Sequence, residues 1–179
     1  MSKIIVTGGC GYIGSHTCIA LISKDYDVVI FDDLSNADNK SVDRIDKITG
    51  KRPELYIVDL KDKDATLTAF DTHKDALAVI HFAAYKAVKE SVDKPLHYYE
   101  NNLFSIINTL SAQQKFGIKN FIFSSSATVY GMPKACPVTE QSPVSKPFSP
   151  YGNTKKIAEE ILEDFTTSNL DFSSISLRY

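Results

Sequence analysis

The chain has 179 residues, 43% of them hydrophobic, with 20 basic and 22 acidic side chains, enough apolar material for one domain with a sizeable core. The near balance of charge, without long like-charged runs, excludes the electrostatic footprint of a nucleic-acid or anionic-membrane binder and favours a small-molecule partner. Cys10, Cys18 and Cys136 show no CxxC pairing and no histidine at ligand spacing, so they are read as reduced thiols without a metal.

Short valine- and isoleucine-rich runs alternate with longer segments of helical period, which predicts an α/β fold with a parallel sheet and helical crossovers. The opening MSKIIVTGG turns to glycine before an apolar stretch of signal-peptide length develops, so a cytoplasmic protein is expected. The first strand, Lys3 to Thr7, runs into VTGGCGYIGSH, whose Gly8, Gly11 and Gly14 lie between that strand and a helix from Tyr12 to Lys24. Glycines there permit a tight turn, close approach of backbone to a pyrophosphate, and close packing of helix on strand. The helix N-terminus adds partial positive charge. A lone glycine-rich turn is also common without a ligand, and the second strand, Asp27 to Asp32, tips the reading. Its end, FDDL, puts Asp32 about twenty residues past the glycines, where a carboxylate accepts from adenosine ribose hydroxyls. Asp33 doubles the negative charge and no arginine stands beside the pair, which repels a 2'-phosphate and selects NAD over NADP.

Helices are predicted at Ser41 to Thr49 and Asp62 to Thr72, flanking a third strand from Glu54 to Asp59. A fourth strand, Leu77 to Phe82, ends in Phe82-Ala83-Ala84, so Asp59 and these small residues share the carboxyl edge where doubly wound sheets bind ligands. His81 lies inside that strand and reads as a satisfied core histidine; His16, His73 and His97 are assigned no chemistry. A long helix from Pro95 to Phe116 is closed by Gly117. The fifth strand, Asn120 to Ser124, leads into FSSSATVYG, and a Pro/Ser-rich stretch from Met132 to Ser149 reads as an ordered loop over a site. Pro150 opens the last helix, Pro150 to Ser168, and a sixth strand spans Phe172 to Leu177. All six strands are expected to be buried on both faces.

On the last helix Tyr151 and Lys155 project from one face a turn apart. A phenol is a poor base at neutral pH, but a neighbouring ammonium and a nicotinamide cation both favour its phenolate. The hydroxyls of Ser124 to Ser126 run off the fifth strand toward the same edge and can relay a proton. The apolar stripe Ile157, Ile161, Leu162 and Phe165 on that helix is either core or a dimer seam.

With TGxxGxxG, a serine after the fifth strand and YxxxK, the chain resembles the extended short-chain dehydrogenase/reductases over its whole length. TGGCGYIGSHT, HFAAYKAVKES, YYENN, FSSSATVYG, SPYGNTK and LRY are similar to the branch of that family that inverts carbon 4 of UDP-hexoses. The resemblance implies a Rossmann-like, doubly wound parallel sheet in three α/β/α layers. It implies Tyr151 as catalytic base, Lys155 on the nicotinamide ribose and Ser126 on the sugar hydroxyl being oxidised. It also places Tyr12, Ile13, Asp32, Asp33, Leu34, Ser35, Asn36, Ala37, Asp59 and Leu60 around NAD. Phe82, Ala83, Ala84, Tyr85, Lys86, Asn101 and Ser124 join them, with Lys86, Ser126, Tyr151 and Tyr179 facing the UDP-hexose. Family members that eliminate water carry an aspartate and a glutamate where this chain has Ala127 and Thr128, so dehydration is disfavoured and epimerisation of UDP-glucose and UDP-galactose is the expected activity.

Members of that branch continue for about as many residues again past LRY, into a nucleotide-sugar domain. The 179 residues are therefore expected to be one NAD-binding domain that turns over little substrate alone. A homodimer through the helices 95–116 and 150–168 is implied by the resemblance. A catalytically silent NAD-binding sensor or scaffold would keep the glycines and Asp32 equally well, but has no use for Tyr151, Lys155 and Ser126 together. Another NAD-dependent enzyme acting on sugar nucleotides is the remaining alternative.

Overall fold

The computed structural model describes residues 1–133 and 135–179. Six parallel strands form one sheet: β1 (Lys3–Thr7), β2 (Asp27–Asp32), β3 (Glu54–Ile57), β4 (Ala78–His81), β5 (Asn120–Ser124) and β6 (Ser173–Leu177), in the spatial order β3-β2-β1-β4-β5-β6. The chain starts in the middle, winds outward to β3, then returns across β1 to wind the other way. This leaves a reversal between β1 and β4, where the connections diverge and open a crevice at the carboxyl edge.

Side-chain alternation along the strands divides the core in two. Ile5, Val29, Phe31, Val79, Phe121 and Phe123 point to one face, which α3 (Lys63–Thr72), α5 (Pro95–Phe116) and α6 (Pro150–Ser168) cover. Ile4, Val6, Val28, Ile30, Ala78 and Ile80 point to the other, packed beneath α1 (Tyr12–Ile22) and α2 (Lys40–Thr49). The expected three-layer, doubly wound α/β arrangement is the one observed.

Burial on both faces holds only for β1, β2 and β4. The edge strands β3 and β6 expose Ile57 in one case and Ile175 and Leu177 in the other, and β5 alternates. Two short elements went unread in the sequence, α4 (Val88–Asp93) and a 3-10 turn at Ala127–Tyr130. Lys94 breaks the helix between the end of α4 and Pro95, so the six-residue piece carries little periodic signal. Several strand ends are shorter than expected: β3 stops at Ile57 and β4 at His81, because the chain turns out of the ladder to present Asp59 and Phe82 to the crevice.

Of the apolar stripe on α6, Leu162 is buried, and Ile161 and Phe165 pack against the core. That stripe is chiefly core. Among the described residues no helix is long and apolar enough to cross a membrane.

Candidate functional site

Each strand ends at the crevice, and each ending contributes to it. The cavity holds about 460 Å³ and is lined from the β1–α1 turn, the ends of β2 to β5, the start of α6 and Tyr179 beyond β6.

The glycine turn forms the floor. Gly8 has φ of +66°, and a Cβ there would stand 2.7 Å from the Ala83 amide nitrogen. At Gly14 a Cβ would lie 2.3 Å from the Gly8 carbonyl, so the helix can approach the turn only without a side chain. Gly11 caps α1 with no side-chain hydrogen bond and the first turn carries no acidic residue, which leaves the leading amides of Tyr12, Ile13 and Gly14 available to an anion. A phosphate-bearing group fits this cradle. Tyr12 and Ile13 continue the wall, with Tyr12 largely exposed.

Asp32 is buried and reaches back over the turn to accept the Cys10 amide at 2.9 Å, while its other oxygen accepts the Leu34 amide at 2.9 Å. Burial raises its pKa against the opposing pull of those two amides. A carboxylate has about four acceptor sites, so these two bonds leave capacity for ribose hydroxyls. Asp33 accepts from the Ser35 amide and hydroxyl, at 2.9 and 2.7 Å, which shapes the loop carrying Ser35, Asn36 and Ala37 into the wall. Leu34 is the exception. With φ of +58° it turns away from the cavity and packs on the α1/α2 side of the core.

On the other flank, Asp59 and Leu60 line the cavity together with Val58. Asn108 holds that loop by donating to the carbonyls of Leu60 and Lys61, both at 2.9 Å. Phe82 to Lys86 follow β4 along the wall. Their path is fixed by Asn102, which accepts the Tyr85 amide at 2.8 Å and donates to the Tyr85 carbonyl and to Thr154 Oγ1, each at 3.0 Å. Asn101 also lines the cavity and donates to Asn102 Oδ1 at 3.0 Å. Sequence reasoning found Asn101 and passed over its neighbour; Asn102 and Asn108 fall on the buried face of α5, where an amide among apolar residues is the available signal.

Tyr151 and Lys155 both line the cavity, and Ser126 lies beside the Tyr151 phenol. The Tyr151 phenol is raised by burial and by the nearby Tyr179, and a hydrogen bond with Ser126 works in the opposite direction. Ser126 is buried and accepts from the Thr128 amide at 3.2 Å and the Thr128 hydroxyl at 2.9 Å. With its lone pairs engaged there, its proton is free to point at the phenol oxygen. Ser126 itself does not line the cavity. Thr128 thus orients the Ser126 hydroxyl.

Lys155 is buried, donates to the Ser124 carbonyl at 2.7 Å and sits 4.7 Å from the centre of the Phe123 ring. Burial pulls its pKa down to about 7. Lys155 turns its amine to the Ser124 carbonyl, and the influence that lowers the Tyr151 phenol comes from Ser126. His81 donates or accepts with Thr7 Oγ1 at 2.8 Å inside the core and is held neutral, its pKa pushed by burial to about 3. Among site-lining residues the sequence reading missed Phe31, Val58 and Ser105.

Comparison with known proteins agrees with this geometry. The model of the NAD dependent epimerase/dehydratase family matches residues 4–179. The chain is 46% identical over 177 residues to the UDP-glucose 4-epimerase of Erwinia amylovora, covering 99% of this chain and 52% of that one. Against the Bacillus subtilis UDP-glucose 4-epimerase it is 47% identical over 176 residues, covering 98% and 51%. The crystal structure of the Bifidobacterium longum UDP-glucose 4-epimerase in complex with NAD+ and UDP superposes with a TM-score of 0.96 at 42% identity, covering 99% of this chain and 53% of that chain. The chain therefore spans about half the length of the curated relatives it matches.

Proposed function

Because the chain belongs to the NAD dependent epimerase/dehydratase family, we propose that it forms the NAD-binding half of a UDP-glucose 4-epimerase, interconverting UDP-glucose and UDP-galactose in galactose metabolism. What carries this reading is the meeting of the Tyr151 phenol, the Ser126 hydroxyl and the Lys155 ammonium at the rim that also holds the glycine turn and Asp32. A nucleotide-binding module without chemistry has no need of that trio.

In this reading the amides behind Gly11 take the pyrophosphate, Asp32 takes the adenosine ribose, and Lys155 takes the nicotinamide ribose. The carboxylates of Asp32 and Asp33 reject a 2'-phosphate. NAD, when bound, would supply a reversible hydride acceptor for sugar carbon 4. Tyr151 takes the proton of the 4-hydroxyl and later returns it to the same oxygen after carbon 4 has inverted. Ser126 steadies the phenol oxygen, while Lys86 and Tyr179, both lining the cavity, are the groups that would meet the nucleotide sugar. Ala127 and Thr128 carry no acid or base, which favours epimerisation over loss of water.

The protein is further proposed to act in the cytoplasm as a homodimer. Support for the dimer comes from Leu96, Phe104 and Ile107, large apolar side chains exposed along α5 beside α6. Support for a reducing compartment comes from Cys10 and Cys18, both buried with free thiols in or beside the glycine turn.

The reading is tested by purifying the full-length protein, identifying the cofactor it carries by mass, and following conversion of UDP-galactose to UDP-glucose. Bound NAD with turnover is expected. Bound NADP, or no conversion by an NAD-loaded protein, overturns it.

A further inference from the structure

Beyond the cofactor cavity, a second polar cluster ties together the elements that carry the reactive groups. Glu159 lies on α6 one turn beyond Lys155 and two beyond Tyr151, on the same face of the helix. Its carboxylate is mostly buried and receives Arg178 in a bidentate pair, Nε to Oε1 at 2.9 Å and NH2 to Oε2 at 2.7 Å. The same Oε1 accepts the hydroxyl of Ser125, itself buried. Arg178 completes its bonds with NH1 on the Tyr130 hydroxyl at 3.0 Å and lies over the Tyr130 ring at 5.0 Å. One carboxylate thereby joins α6, the segment after β5, the 3-10 turn and the end of β6.

The position of Ser125 gives the cluster its significance. Its neighbour Ser124 offers the carbonyl that holds Lys155, and its other neighbour Ser126 offers the hydroxyl that faces Tyr151. Fixing Ser125 to Glu159 sets the register between the Ser124–Ser126 segment and the helix bearing Tyr151 and Lys155. Arg178 adds the adjoining Tyr179, whose carbonyl accepts the Ala127 amide at 2.9 Å and whose side chain lines the cavity next to Tyr151.

We propose that Glu159, through Ser125 and Arg178, is a positioning residue for the epimerase reaction, holding the Ser126 hydroxyl beside the Tyr151 phenol and Tyr179 in the cavity wall. This rests on the function proposed above. Glu159 does not line the cavity; it acts through the two serine contacts on either side of Ser125. A charge-assisted, bidentate pair gives the orientation that a lone hydroxyl contact cannot. Losing it lets the segment after β5 drift relative to α6, and drift of about 1 Å is enough to cost on the order of a hundredfold in rate.

The test uses the full-length, NAD-loaded protein with Glu159→Gln and Ser125→Ala. Gln keeps the shape and removes the charge; Ala deletes one hydroxyl and leaves the Glu159–Arg178 pair intact, which covers the case in which the Gln variant fails to fold. Expected are a fall in kcat of about tenfold or more with KM within twofold. The Tyr151 titration, read as phenolate absorbance against a Tyr151→Phe control, should also move to higher pH, because the Ser126 bond that favours the phenolate is weakened. A merely structural role would lower thermal stability and leave that titration in place. The proposal is overturned if kcat stays within twofold in Ser125→Ala, or if kcat falls without any movement of the Tyr151 titration. Should the unaltered protein turn over no UDP-hexose, the functional reading fails instead, and the titration alone still reports whether Glu159 sets the phenol's environment.

Discussion

Lys155 donates its ammonium to the Ser124 carbonyl at 2.7 Å from a buried position in which, among the described residues, no carboxylate pairs with it. A buried cation without a counter-charge costs stability unless it loses its proton, and burial here brings its pKa from 10.5 to about 7. The pairing that does exist, with a carbonyl and a phenyl face, orients the amine toward the cavity without neutralising it.

The stability of the chain should consequently depend on pH in a definite way. Above about 7 the folded chain has released the Lys155 proton while the unfolded chain keeps it up to 10.5, so stability rises with pH across that interval. From about 9 an opposing trend begins, because the buried thiols of Cys10 and Cys18 stay protonated in the folded state to about 12 and ionise near 9.0 when unfolded. The clean window is pH 7 to 9, where the slope approaches about 1.4 kcal/mol per pH unit. Denaturant midpoints measured across that window should climb, and Lys155→Met should flatten the climb. An unchanged slope in the Met variant would show that some other group is responsible.

The glycines of the turn differ in what they tolerate. Gly14→Ala drives a Cβ to 2.3 Å from the Gly8 carbonyl, backbone against backbone, and should cost roughly 3 kcal/mol with loss of NAD binding. Gly117→Ala meets nothing within 4 Å and suffers only from φ of +74°, about 1 kcal/mol. Urea denaturation of the two variants side by side should separate them clearly; equal losses would mean that close packing at Gly14 is not what limits it.

Asn102→Ala removes the only side chain that bonds both the amide and the carbonyl of Tyr85 among the described residues. Leaving those groups unpaired should cost about 2 kcal/mol. Hydrogen exchange at the Tyr85 amide should quicken and NAD affinity should weaken, with the sheet amides of β1 and β4 still protected. If the Tyr85 amide exchanges no faster, the loop from Ala83 to Lys86 is held by something else.

Phe104→Lys and Ile107→Lys place charge on the exposed apolar face of α5. Sedimentation should convert the proposed dimer to monomer while helix content is retained. A dimer that persists in both would relocate the interface.

Much of this was readable in the chain before any coordinates. Gly8, Gly11, Gly14 and Asp32 carry local signals, since a turn needing positive φ and a carboxylate at a strand end are specified within a few residues. Pro150 and Gly117 marked helix ends for equally local reasons. What stayed hidden depends on partners far along the chain. Glu159 and Arg178 are 19 residues apart and meet Ser125, 34 residues before Glu159, only because β5, α6 and β6 pack side by side. Charged residues on a helix read as solvated until the fold buries them. The same holds for Asn102, 52 residues from Thr154. The exposure of β3 and β6 follows from strand order, which a run of apolar residues does not encode.

The most direct measurement of the central claim is turnover by Tyr151→Phe in the full-length protein at matched NAD occupancy. The phenyl ring keeps the packing of α6 against the rim and removes the group proposed to take the 4-hydroxyl proton. Loss of a positioned general base predicts a fall in kcat of at least about a hundredfold with NAD retained. Turnover within a few fold of the unaltered protein, with NAD still bound, would contradict the account.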